Sequence, residues 1–181
     1  MYEYKTQPFE HQREALINGA EKEVYAYLME MGTGKTKVSI DNAAYLYQQN
    51  KIKMCVVIAP NSVYQNWKDE INMHCPVSNS IFVYKIDKGF KYTEGKLNFI
   101  LMNVEAFSHK SGVSFLEQVL KYYGVYSMVV LDESTTIKNR TAKRTKSLLK
   151  LGKMSKYRRI LTGSPVTKSP LDLFSQFQFL K

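Results

Sequence analysis

Apolar residues fall along this chain in two alternating patterns: short continuous runs, and longer stretches in which they recur at helical spacing. The runs are Val24–Leu28, Lys53–Ala59, Ile81–Ile86, Phe99–Met102, Met128–Leu131 and Arg159–Leu161, and several are apolar on both faces. The helical stretches lie between them. Pro8 in a first turn and Gly19 as a stop signal bound the first, where Phe9, Gln12 and Leu16 share a face that turns Gln12 toward the protein body. Ile40, Ala43, Ala44 and Tyr47 mark the second, and Val63, Trp67 and Ile71 the third, in which Trp67 reads as core. Val113, Leu116 and Leu120 give a fourth that closes at Gly124, and Leu173, Phe174, Phe177 and Leu180 give a final stripe expected to pack on the domain. Runs alternating with helices predict an α/β fold, a mainly parallel sheet with helices on both faces. Ligands of such sheets bind beyond the carboxyl ends of the strands.

At 181 residues the chain suits one domain with a proper core. It opens on no basic-then-apolar leader and has no apolar run of membrane-spanning length, so a soluble, intracellular protein is expected. Cys55 and Cys75, with His11, His74 and His109, have neither the number nor the spacing of a disulfide framework or a zinc site and read as filler. Charge changes the picture more. The net charge is +10, and residues 134–160 hold ten Lys or Arg and no Asp or Glu; removing these ten from 26 leaves 16 basic residues against 16 acidic ones. The excess is local. A solvated helix face is one explanation, and a polyanionic partner for Lys138, Lys143, Arg144 and Lys146 is the other. Arg158 and Arg159 read as surface charge beside a strand.

The most specific chemistry lies in Met31-Gly32-Thr33-Gly34-Lys35-Thr36, between a strand-like run and a helix. Glycines there let backbone N–H groups approach an anionic oxygen at a helix N-terminus. Lys35 would reach the β- and γ-phosphates of ATP, and the Thr36 hydroxyl would meet the bridging Mg2+. Only the last half of the full phosphate-loop pattern is present, since Met29 stands where Gly is expected. Met128–Leu131 runs directly into Asp132-Glu133, where Asp132 would hold the magnesium and Glu133 would deprotonate an attacking water. Gln12 is either a surface amide or a reader of an adenine edge. Thr162-Gly163-Ser164-Pro165 is either an ordinary turn or a pair of hydroxyls able to bond a carboxylate or a moving loop.

Taken in order, these segments resemble the first motor lobe of a Swi/Snf-type ATPase of helicase superfamily two. Gln7-Pro8-Phe9-Glu10-His11-Gln12 is similar to that family's adenine-reading segment, and Met31–Thr36 to its M-G-x-G-K-T. Ile58-Ala59-Pro60 with Asn66-Trp67 and Glu70, Asn103-Val104-Glu105, Asp132-Glu133 with Ile137-Lys138-Asn139, and Leu161–Pro165 follow in the family's order. The resemblance implies a RecA-like phosphate-loop NTPase domain and an ATP- and Mg2+-using motor on double-stranded DNA. It also implies backbone contacts near Asn61, Ser62 and Asn103, and coupling through Thr162 and Ser164. Ser134-Thr135 departs from the family's small residue and His, so that coupling is expected to run through hydroxyls. A second motor lobe, with the arginines that complete the site, is expected after Lys181. Strand-separating helicases and a binding-only remnant of the fold stay open as alternatives. A bias toward Lys, Asn, Ile and Tyr points to a bacterial or phage version acting in the cytoplasm.

Overall fold

The computed structural model of the protein describes residues 2–61, 63–87, 89–137, 139–166 and 172–181. Along the chain run α1 (Glu10–Gly19), β1 (Val24–Leu28), α2 (Lys35–Gln48), β2 (Met54–Ala59), α3 (Tyr64–His74), β3 (Asn79–Val83) and β4 (Leu97–Asn103). They are followed by α4 (Lys110–Tyr123), β5 (Ser127–Asp132), α5 (Lys143–Gly152), β6 (Tyr157–Thr162) and α6 (Asp172–Leu180). The strands form one six-stranded sheet in the order β1-β6-β5-β2-β4-β3, and every pairing is parallel.

Alternate residues of the central strands feed two cores, because successive side chains of a strand point to opposite faces. In β2, Cys55, Val57 and Ala59 join Ile40, Leu46, Trp67 and Ile71 from α2 and α3. Met54, Val56 and Ile58 join Leu116, Leu148 and Phe179 from α4, α5 and α6 on the other face. A strand buried on both sides can carry no polar alternation, which is why these runs are continuously apolar. Among the described residues no helix is long and apolar enough to cross a membrane.

Three local expectations are corrected, and the basic segment gains the helix that one reading of its charge named. β3 occupies Asn79–Val83 and not Ile81–Ile86, since the chain turns after Val83 and Lys85 takes φ +67°. The basic segment contains α5, whose inner face of Thr145, Leu148 and Leu151 is buried while its lysines face outward. In α6 the buried residues are Ser175, Gln176 and Phe179, whereas Phe174 and Phe177 are exposed. Arg159 is no surface charge: it is fully buried, and its five hydrogen bonds reach Asn42 Oδ1 and the carbonyls of Gly19, Lys22, Glu23 and Arg158.

Candidate functional site

The loop after β1 is shaped by two glycines in the left-handed region, Gly32 (φ +76°) and Gly34 (φ +85°), and α2 starts directly from Gly34. A Cβ on Gly34 would lie 2.3 Å from the Gln12 amide nitrogen, so any larger residue there would push that side chain off the loop. Thr33 Oγ1 donates to the Glu30 carbonyl at 2.7 Å, and the Thr33 carbonyl accepts from Gln12 Nε2 at 3.0 Å. His11 Nε2 lies 3.0 Å from the same carbonyl. Gln12 Oε1 accepts the Phe9 backbone N–H at 3.1 Å, so both ends of this buried amide brace α1 and the loop. Beside them the Phe9 and His11 rings stack at 5.9 Å, with Phe9 exposed. Lys35 Nζ donates to the carbonyls of Met29 and Glu30, each at 2.9 Å, which holds the ammonium inside the loop.

Two strands away, β5 ends in the acidic pair. Asp132 is buried; its Oδ2 accepts the Trp67 indole N–H at 2.8 Å and its Oδ1 accepts the Glu133 backbone N–H at 2.9 Å. Burial pushes its carboxyl above the usual carboxylate range, opposed by those two donors and by the charge of Lys35. Glu133 is half-buried, and burial together with the neighbouring Asp132 raises its carboxyl while Lys35 opposes. Its backbone takes φ +48°, a conformation that costs a non-glycine residue about 1–3 kcal/mol.

The loop and the acidic pair face one cavity of about 280 Å³, lined by Gly32, Gly34, Lys35, Thr36, Asp132 and Glu133, with Asn66 and Glu70 of α3 on its wall. The parallel sheet brings them together, because β1 and β5 flank β6 and all three strands release their chains at the same end. The residues present fit an anion and a hard cation. A helix start and an ammonium suit phosphate oxygens. A carboxylate has about four lone-pair positions, so Asp132 keeps acceptor capacity beyond its two protein donors, and Thr36 adds a hydroxyl at the same cavity.

Thr162 ends β6 and Ser164 follows it, between these two segments, and Thr162 Oγ1 accepts the Ser164 backbone N–H at 3.2 Å. Other sequence candidates lie elsewhere. Asn61, Asn103 and Glu105 line a second cavity of about 220 Å³ that reaches His109, and Lys143 and Lys146 line a third of about 590 Å³ with His109 and Lys110. Asn103 Oδ1 accepts the Glu105 backbone N–H at 2.9 Å. Arg144 is ion-paired with Glu105. Ser62 and Lys138 lie outside the described residues. Trp67 is core as expected, yet its indole nitrogen is a ligand of Asp132, which helical spacing could not reveal. His11, read as filler, carried one signal, its place beside Gln12.

Six parallel strands with helices on both faces, and an anion-shaped loop beside a buried acidic pair, define a RecA-like domain. The chain belongs to the SNF2-related domain family, whose pattern it matches over residues 27–181. It is 30% identical over 154 residues to the Xenopus tropicalis SWI/SNF-related matrix-associated actin-dependent regulator of chromatin subfamily A containing DEAD/H box 1, covering 83% of this chain and 15% of that protein. It is 30% identical over 159 residues to the Arabidopsis thaliana probable ATP-dependent DNA helicase CHR12, covering 83% and 14%. The Sulfolobus solfataricus SWI2/SNF2 ATPase core, solved in complex with dsDNA, superposes with a TM-score of 0.81 at 26% identity, over 99% of this chain and 36% of that one. The chain thus spans about a seventh of these curated relatives and about a third of the solved core.

Proposed function

We propose that this chain is the ATP-binding lobe of a DNA-dependent ATPase, a Swi/Snf-like motor on double-stranded DNA. The observation that carries it is the shared cavity of Gly32–Thr36 with Asp132 and Glu133. The loop acts as a Walker A phosphate cradle in which Lys35 exchanges its carbonyl partners for β- and γ-phosphate oxygens. Thr36 and Asp132 hold Mg2+, and Gln12 and Thr33 keep α1 against the loop near the base. Bound Mg2+ and ATP supply an electrophilic phosphoryl group whose charge the metal offsets. Glu133 orients the attacking water and takes its proton, and burial with the neighbouring Asp132 raises its carboxyl, which makes its carboxylate a better proton acceptor.

DNA binding is assigned to the surface that joins the other two cavities through His109. Asn61, Asn103, Lys110, Lys143 and Lys146 lie along it, at the strand ends and at the starts of α4 and α5. The family member solved with dsDNA supports duplex as the partner. A second motor lobe completes the site in this reading, consistent with the third of the Sulfolobus core that the chain covers. The setting that goes with it is a bacterial or phage-infected cytoplasm.

ATP turnover by the full-length protein with duplex DNA, single-stranded DNA or RNA tests the reading. Duplex is expected to stimulate most; preference for single strands or RNA would favour a strand-separating helicase instead. Lys35→Ala is expected to lose ATP binding, and Glu133→Gln to keep ATP and lose turnover, since a general base acts on the transition state. Near-normal hydrolysis by Glu133→Gln would remove Glu133 from its role.

A further inference from the structure

β5 and β6 are neighbours in the sheet, with Asp132 opposite Leu161, so the segments leaving their carboxyl ends start side by side. The bonds that join those segments come from α6. Gln176 is fully buried; its Oε1 accepts the Ser134 hydroxyl at 2.6 Å, and its Nε2 donates to the Pro165 carbonyl at 2.8 Å. A single side-chain amide therefore ties the residue after Glu133 to the end of the Thr162–Pro165 turn.

Glu133 holds a left-handed backbone, which a non-glycine residue keeps only where its surroundings enforce it. Two of the bonds enforcing it are local: Asp132 Oδ1 accepts the Glu133 N–H, and the Thr136 N–H donates to the Glu133 carbonyl at 2.9 Å. The bond from fully buried Ser134 to Gln176 fixes the segment to another element. On the other side, the turn packs on the anion loop: a Cβ on Gly163 would lie 3.1 Å from the Met31 nitrogen and 3.3 Å from the Met29 carbonyl oxygen. That same Met29 carbonyl accepts the Lys35 ammonium. Contacts thus run from Lys35 through the turn, Gln176 and Ser134 to Glu133. Coupling between the acidic segment and Thr162 and Ser164 was expected to run through hydroxyls; the Ser134 hydroxyl reaches Gln176, and Thr162 Oγ1 accepts the Ser164 N–H.

We propose that Gln176 is a positioning residue for Glu133, locking the acidic segment and the Thr162–Pro165 turn into one fixed relation across the site. This rests on the ATPase reading above. In the full-length protein, Gln176→Leu is expected to lower kcat for ATP roughly tenfold or more while KM stays within about twofold. Adding Ser134→Ala removes the second bonded side chain and is expected to recover part of the lost melting temperature, the Pro165 carbonyl still lacking its donor, without recovering kcat. A packing role alone predicts that kcat returns with the melting temperature, and that result overturns the proposal. Glu133→Gln in the same assay separates two failures. If it still turns over, Glu133 loses its role as base and with it the reading on which the proposal rests; if it is dead while Gln176→Leu behaves as wild type, only the proposal for Gln176 falls. In the 181-residue chain, amide hydrogen exchange at 133–137 and at 163–164 is expected to rise together in Gln176→Leu. A rise in one segment alone, or in neither, overturns the proposal whatever the chain hydrolyses.

Discussion

Arg159 offers the sharpest test of how this domain is held together. Its guanidinium sits where α1 ends and accepts no help from a carboxylate: all five N–H bonds go to neutral oxygens, among them the carbonyls of Gly19 and Lys22 at 3.1 and 2.7 Å. The last carbonyls of a helix have no partner within it, and α1 has no basic residue in its last turn, so a cation delivered from β6 caps it. Arg159→Met would keep the apolar stem and remove the cap. Gly19 O retains the Lys22 N–H, Glu23 O retains the Arg158 N–H, and Asn42 Oδ1 retains the Tyr27 hydroxyl. Lys22 O keeps no such second donor. One orphaned carbonyl costs about 1–3 kcal/mol, and the four other acceptors, the Arg158 carbonyl among them, about 0.5–1 kcal/mol each. Releasing a buried cation from its desolvation offsets part of the sum, leaving a loss of about 3 kcal/mol. For a domain of this size that lowers the melting temperature by about 6–12 °C. Because α1 also carries Gln12, ATP affinity is expected to fall with it, although Arg159 lies far from the phosphates along the chain. Urea unfolding with ATP titration measures both, and a stability loss under about 1 kcal/mol would refute the capping argument.

Four further outcomes are expected. Trp67→Phe removes a donor that favours ionised Asp132, so its carboxyl rises further and the acid limb of the ATPase pH profile moves toward neutral; an unmoved limb would detach Asp132 from turnover. Both acidic carboxyls are raised by folding, so the folded state binds protons more tightly and their contribution opposes stability as pH climbs from the ordinary carboxylate range through the raised values. Glu133→Gln should therefore raise the melting temperature at pH 8 relative to wild type and lose that advantage at pH 4, as scanning calorimetry would reveal. Neutralising Lys143 and Lys146 should weaken duplex binding and flatten its log–log salt slope by about 0.9 per lost phosphate contact; paired Arg144 should matter less, and an unchanged slope returns the segment to a solvated face. Finally, if a second lobe supplies the completing arginine as proposed, the isolated 181-residue chain should fold and hydrolyse ATP very slowly even with DNA, since loss of an arginine at the γ-phosphate commonly costs about 10³–10⁵ in rate; brisk turnover by a monomer would contradict the need for a second lobe.

Local chemistry dictates several elements of this fold. Continuous apolar runs such as Met54–Ala59 declare strands covered on both faces, and Gly32 and Gly34 declare a backbone that only glycine adopts freely. Asp132-Glu133 directly after such a run, with the rule that parallel sheets bind at strand ends, places the acids near the loop. Tertiary structure decided everything that depends on which side chains meet. Arg159 and Gln176 look like surface residues in one dimension, because polarity alone cannot tell a solvated group from one whose partners come from remote elements. Arg159 meets Gly19 across 140 positions of sequence, and Gln176 meets Ser134 across 42. Trp67 shows the same limit from the apolar side: its spacing assigned the ring to the core, but only packing of α3 against β5 turned the indole N–H onto Asp132. Periodicity reports which face of an element is buried, and burial makes each polar group there find a partner. The identity of that partner is a property of the sheet order, which no local pattern encodes.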